Sequence, residues 1–171
     1  MASPDPPSTD EPTRWLDADE RATWLSLSRI IVKLPSALDA QLERDADLNY
    51  FEYIVMAMLS EQDDRTLRMS QLAALSNASL SRLSHVAKRL EARGFLQREP
   101  DPDDGRYTRA VLTDAGLAKV TSSAPGHVTA VRALVFDALS ATQRRRLREG
   151  IDAILERVDP GNSSWPKPPA I

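Results

Sequence analysis

The stretch MSQLAALSNASLSRLSHVAKRLEARGFLQREPDPDDGRYTRAVLTDAG (69–116) decides the fold of this chain. Its opening, Met69 to Leu75, reads as a short helix with Leu72, Ala73 and Leu75 apolar. SNAS (76–79) is a turn. Ser79 is placed to cap a second helix running to Arg93, and Gly94 to stop it as a C′ residue. On that helix Leu80, Leu83, Ala87 and Leu90 share one face, while Ser81, Arg82, His85, Lys88 and Arg89 lie on the others. Two helices joined by a turn of about four residues make a helix-turn-helix pattern. Phe95 to Glu99 and Tyr107 to Leu112 then read as strands flanking PDPDDG (100–105), a hairpin with a long loop. Thr66–Arg68 is a candidate third strand.

Working outward, residues 17–46 read as a long helix with a stripe at Leu27, Ile31, Leu34, Leu38 and Leu42. Asp17, Asp19 and Glu20 sit near its positive end. Pro35 should kink or split it. Asn49 with Glu52 predicts a capping box, and Phe51, Val55, Met58 and Leu59 the buried face that follows. EQDDR (61–65) ends that helix. Thr113 caps a helix from Asp114 to about Leu139, expected to bend at Pro125-Gly126. Ser140 with Gln143 predicts a further capping box, and Leu147, Ile151, Ile154 and Val158 stripe the last helix. Arg144, Arg145, Arg146 and Arg148 at its start read as a solvated face.

The fold class is therefore mainly α with a small β wing: a winged helix-turn-helix plus long dimerisation helices. Residues 48–113 are expected to serve as the DNA-binding domain, and 15–47 with 114–159 as the dimerisation helices, on the grounds given below. Eight of the twelve prolines fall in the tails 1–14 and 160–171, which are expected to be disordered.

Net charge, −3 over 171 residues, hides an asymmetry. Residues 1–64 carry 5 Lys/Arg against 14 Asp/Glu, a balance of −9. Residues 65–109 carry 9 against 5, a balance of +4. A basic segment beside an acidic one is what a face meeting a polyanion requires, although surface charge also clusters by chance. The chain has no cysteine and two histidines, His85 and His127, which excludes disulfide scaffolds, thiol chemistry and a multi-histidine metal site. There is no nucleophile–base pair and no glycine loop for phosphate, so no enzyme activity, metal or cofactor is expected. The start, MASPDPPSTDEP, lacks the basic and apolar regions of a signal peptide, and no apolar run approaches the roughly 18 residues of a membrane span. A cytoplasmic protein without membrane partners is expected.

A helix of this type fits the major groove, and the hairpin lies on the neighbouring backbone or minor groove. Ser79, Ser81, Arg82 and His85 occupy the part of the helix that reaches base edges, and Lys88, Arg89 and Arg93 can serve phosphates. In the wing, Arg106 can enter a narrow minor groove, with Asp104 holding Arg106 or Arg98 by a charge-assisted bond. The bland reading makes each of these an ordinary solvated surface residue. A use of the same fold as a protein-interaction module is the alternative function.

SQLA (70–73), S-x-S-R-L (79–83), RLEARGFL-x-R (89–98), D-x-R (104–106) and LTDAG (112–116) together resemble the multiple antibiotic resistance regulator (MarR) family of bacterial transcription regulators. The resemblance extends over about residues 17–158. It departs at the wing, where the family usually has Asp-Arg-Arg and this chain has Asp104, Gly105, Arg106. The resemblance implies a homodimer built from the first and last two helices, seated on a pseudo-palindromic operator and usually repressing. It also implies release by a small aromatic or amphipathic effector bound between the dimer and DNA-binding regions. Trp15, Trp24, Ser28, Tyr50 and Tyr53 are the candidate ligand residues, with core packing as the plainer role for the aromatics. The stripes at 27–42 and 147–158 argue for a dimer independently, because such faces need a surface to bury them.

Overall fold

A computed structural model describes residues 12–160. The tails expected at 1–14 and 160–171 lie mostly outside the described residues. The elements in order are α1 (Ala18–Ala46), α2 (Tyr50–Ser60), β1 (Thr66–Arg68), α3 (Met69–Leu75), α4 (Leu80–Ala92), β2 (Leu96–Pro100), β3 (Thr108–Leu112), α5 (Asp114–Val131) and α6 (Ala141–Val158). A π-helical turn, Arg132–Phe136, follows α5. Helices with one small antiparallel sheet, ordered β1-β3-β2, make up a winged-helix fold.

The chain divides into two compact units within α1, between Leu34 and Pro35. In the first unit Asp17 caps the helix: its Oδ1 accepts the backbone N–H groups of Asp19 and Glu20, both at 2.8 Å. Glu20 Oε2 accepts the Asp17 N–H at 3.0 Å in return. Trp24, Leu25, Ile30 and Ile31 of this unit are exposed, whereas Leu27 and Leu34 are half-buried.

The second unit holds the core. Leu42, Leu48, Val55, Met56, Leu59, Leu72, Leu83, Leu90 and Leu96 are fully buried, joined by Ala110 and Leu112 of β3 and Val120 of α5. Each such aliphatic side chain contributes about 1.5–3 kcal/mol on leaving water. The Asn49/Glu52 capping box forms, with reciprocal bonds of 2.8 and 3.0 Å. So does the Ser140/Gln143 box. Gly94 takes a φ of +75°, the left-handed conformation that ends α4.

LTDAG (112–116) closes the back of the wing. Thr113 Oγ1 donates to the Gly94 carbonyl at 2.7 Å and accepts the Gly116 N–H at 3.0 Å. A Cβ on Gly116 would lie 2.1 Å from the Phe95 carbonyl oxygen, so only glycine lets α5 pack this closely.

The structure adds detail to four expectations. Of the kink or split expected at Pro35, the split does not occur: α1 is one helix from Ala18 to Ala46, although proline has no N–H to give the Ile31 carbonyl. Helix α5 likewise continues through Pro125, and it ends at Val131, short of the expected Leu139, where the π-helical turn Arg132–Phe136 takes over. On α4 the buried face is Leu83, Val86, Ala87 and Leu90, whereas Leu80 is 53% exposed because the first turn projects beyond the core. The stripe of α1 is buried only at Leu38 and Leu42, and Ile31 is exposed.

Candidate nucleic-acid interface

The turn between α3 and α4 is built from short polar side chains. Ser76 Oγ donates to the Leu72 carbonyl at 2.7 Å, and Asn77 takes a φ of +48°, which Asn tolerates better than most residues. Ser79 then caps α4, its Oγ accepting the Arg82 N–H at 3.2 Å. With Leu83, Val86, Ala87 and Leu90 turned inward, Ser81, His85 and Lys88 line up at spacings of four and three on the exposed side. Among the described residues none of these three side chains has an ion pair or hydrogen bond. They form a polar stripe open to a ligand.

The arginines of α4 are placed differently. The Arg82 guanidinium lies 4.3 Å from the Phe51 ring centroid, stacked on α2 while the residue stays exposed. Arg89 Nε donates to Glu52 Oε1 at 3.0 Å, and the Glu52 side chain is only 7% exposed. Arg93 Nη2 donates to the Asp47 carbonyl at 2.7 Å and to its carboxylate at 2.9 Å. Arg89 and Arg93 therefore anchor α4 to α2 and the end of α1, and Glu52 serves both as capping-box partner and as their counter-ion.

In the wing, Arg98 is fixed to Glu91 of α4 through Nε and Nη2, at 3.0 and 2.6 Å. Arg98 holds the Glu91 carboxyl below its usual range through these bonds and a backbone N–H. Of the two partners considered for Asp104, the structure selects Arg106. The pair is bidentate, Nε to Oδ1 at 2.9 Å and Nη2 to Oδ2 at 2.6 Å. It lowers the Asp104 carboxyl and raises the Arg106 guanidinium from their ordinary values. Yet the Arg106 side chain is 84% exposed, so a cation is presented in a fixed pose at the wing tip.

Two residues of this region escaped sequence reasoning. Arg68 Nε donates to Asp101 Oδ2 at 2.6 Å, with the Arg68 guanidinium 4.9 Å from the Tyr107 ring centroid. They lie 33 residues apart, and no local pattern joins them.

The candidate ligand residues fall in both units. Trp15 and Trp24, exposed, and Ser28, half-buried, belong to the first unit. Tyr50 and Tyr53, half-buried, belong to the second, where both rings meet His127, at centroid distances of 5.9 and 4.5 Å. His127 Nδ1 is 3.4 Å from Gln41 Oε1. Burial raises both phenols and lowers the imidazole. His127 and Gln41 were not anticipated, being brought in from α5 and α1. A separate cleft of about 670 Å³ beside α4 is lined by Asp39, Glu43, Phe51, Arg82, His85 and Arg89.

The family model for MarR matches residues 48–108. Sco3205, a MarR family transcriptional regulator from Streptomyces coelicolor solved in complex with DNA, is 39% identical with a TM-score of 0.82, over 91% of this chain and 98% of that one. AbsC, another MarR family regulator from Streptomyces coelicolor, is 33% identical with a TM-score of 0.80, over 85% and 98%. Transcriptional repressor MprA of Escherichia coli K12 is 24% identical over 112 residues, 66% of this chain and 63% of that one. The chain spans 55% and 63% of the lengths of the first curated relatives it matches. The winged helix carries an open polar stripe on its second helix and a fixed cation at the wing tip. The chain belongs to the MarR family of transcriptional regulators.

Proposed function

We propose that this protein is a dimeric, sequence-specific DNA-binding repressor of the cytoplasm, working on a pseudo-palindromic operator. The observation that carries the reading is the occurrence of two exposed features on one domain: the unpaired Ser81–His85–Lys88 stripe and Arg106, held by Asp104 but open to solvent. Ser81, His85 and Arg82 read base edges, Ser79 orients the helix start, and Lys88 and Arg106 meet phosphate or the minor groove. Arg89 and Arg98 contribute by holding helix and wing in register through Glu52 and Glu91. Residues 15–47 and 114–159 form the dimer, which places half-sites roughly 34–36 Å apart. The DNA complex of Sco3205 supports the assignment.

The test is binding to the DNA immediately upstream of the protein's own coding region, followed by fluorescence anisotropy at several salt concentrations. Two chains per site and a steep loss of affinity with salt are expected. A protein-interaction module, favoured by the internal commitment of Arg89, Arg93 and Arg98, shows neither, and that result overturns the reading.

Ligand response is the finer part of the proposal. The half-buried Tyr50–Tyr53–His127 cluster offers stacking faces and polar tips to an aromatic or amphipathic effector. Phenolic acids that release DNA from the parent but not from a Tyr53→Ala variant support it. Release that ignores Tyr53 places the effector elsewhere.

A further inference from the structure

The loop from Asp101 to Tyr107 carries the wing-tip cation, yet little packs against it. Space around Gly105 is open: beyond its two chain neighbours, no atom lies within 4 Å of where a side chain would begin. Arg106 is largely exposed. The position of this loop is set instead by one chain of polar contacts.

That chain starts at Asp101. Its side chain is 7% exposed, and a carboxylate taken out of water needs partners for both oxygens. Oδ1 accepts the backbone N–H groups of Asp103 and Asp104, at 3.0 and 3.2 Å, folding the loop back on itself. Oδ2 accepts Arg68 Nε at 2.6 Å. The Asp101 N–H donates to the Tyr107 carbonyl, and the Tyr107 N–H to the Asp104 carbonyl, both at 2.9 Å. Asp104 is thus held at its N–H and its C=O, and its carboxylate grips Arg106.

Arg68 is equally fixed at its own end. It pairs with Arg109 across the sheet, and its backbone N–H donates to Gln71 Oε1 at 3.2 Å. It immediately precedes α3, the first helix of the helix-turn-helix. The mutual shifts of the pair, Asp101 lowered and Arg68 raised, accord with a held ion pair.

We propose that Arg68 and Asp101 are positioning residues: from the foot of the helix-turn-helix they set the wing loop so that Arg106 meets DNA in one pose. The ion pair ties the two DNA-contacting parts of the domain to one anchor, without either residue touching DNA. The inference rests on the DNA-binding reading above.

The experiment uses the full chain and the upstream DNA. Arg68→Ala is expected to weaken binding about five- to tenfold, and in an Arg106→Ala background to have almost no further effect, as coupled residues show in a double-mutant cycle. Arg68→Lys, which restores a cation opposite Asp101, recovers part of the loss, whereas Arg68→Gln does not. Trypsin provides a readout without DNA, since Arg106 is itself a cleavage site. Cleavage after Arg106 should accelerate in Arg68→Ala and in Asp101→Asn while the remaining domain resists. Independent losses from Arg68→Ala and Arg106→Ala, or an unchanged rate of cleavage, overturn the proposal. Failure of the parent to bind DNA overturns the functional reading instead, and the proposed DNA role with it. The tryptic rates then still tell whether Arg68 holds the loop.

Discussion

The winged helix and the last helix of this chain differ in how far a single copy satisfies them. Between Leu48 and Leu112, apolar side chains fill a shared core and most arginines have carboxylate partners. Among the described residues α6 has none that is buried, and Leu147, Ile151, Ile154, Leu155 and Val158 are 43–74% exposed. A mainly apolar groove of about 590 Å³ lies beside Leu147 and Ile151, lined also by Val135, Phe136 and Leu139 and edged by Arg144, Arg145 and Arg148. A stripe this regular facing water is costly unless something covers it. The winged helix buries its apolar side chains within one copy, while the described apolar stripe of the last helix stays exposed.

Breaking the second half should therefore have the largest effect. Ile151→Glu with Ile154→Glu places two charges on the stripe and touches no core residue. Helix content should persist while sedimentation shows a monomer at micromolar concentration and operator binding is lost. A dimer that tolerates both charges assigns the stripe another role.

Breaking the first half should cost fold instead of assembly. Gly116→Ala drives a methyl group toward the Phe95 carbonyl, a contact that backbone must relieve. Overpacking of this kind costs about 3 kcal/mol at its upper end. For a chain of this size that lowers Tm by about 10 °C. An unchanged Tm would mean that α5 shifts freely, against the tight clasp at Thr113.

How much of this was legible follows the sequence distance of each contact. The caps at Asn49, Ser79, Thr113 and Ser140 each involve residues at most three apart, and the helix repeat alone reveals them. The wing was readable because strand, turn and strand lie in succession. The pairs Arg89–Glu52 and Arg68–Asp101 are 37 and 33 residues apart, and nothing in either local pattern points to the other. That is why Lys88 and Arg89, adjacent and alike in charge, read as equivalent phosphate ligands when only one is free. Spacing alone also does not say how far burial extends: Leu80 shares the spacing of Leu83, Ala87 and Leu90 but lies on the first turn of α4 and is exposed.

The contrast between those two cations can be sharpened directly. Arg89→Ala leaves the buried Glu52 with Arg93 at 3.8 Å as its remaining ion-pair partner. The loss is about 1–2 kcal/mol of stability, a charge-assisted bond discounted for the exposure of Arg89. Lys88→Ala should leave the denaturation midpoint unmoved and reduce the slope of log affinity against log salt by about one unit. The reverse pattern would exchange their roles.

The smallest expected effect lies in the Tyr50–Tyr53–His127 cluster, and pH exposes it. Burial lowers the His127 imidazole below its ordinary value of 6.5. In the unfolded chain the ring takes up a proton more readily than in the fold, so stability falls as pH drops through and below 6.5. Its surroundings, the two phenols and the Gln41 amide bonded to Asp45, sit close to the ring. The carboxylates Asp45, Glu91, Asp101 and Asp104 are all lowered by hydrogen-bonded partners. Their stabilisation is complete above their ordinary values of 3.8 to 4.5 and is lost only as pH falls below that range. The two processes occupy separate windows, which lets one substitution isolate the first. His127→Phe keeps an aromatic face against Tyr53 and cannot titrate. Urea midpoints measured between pH 7.5 and 5 should decline for the parent and stay level for the variant, with both declining together in stronger acid. Parallel curves across the upper window would show that the ring gains its proton as easily in the fold as outside it, and that the pocket around it is wet.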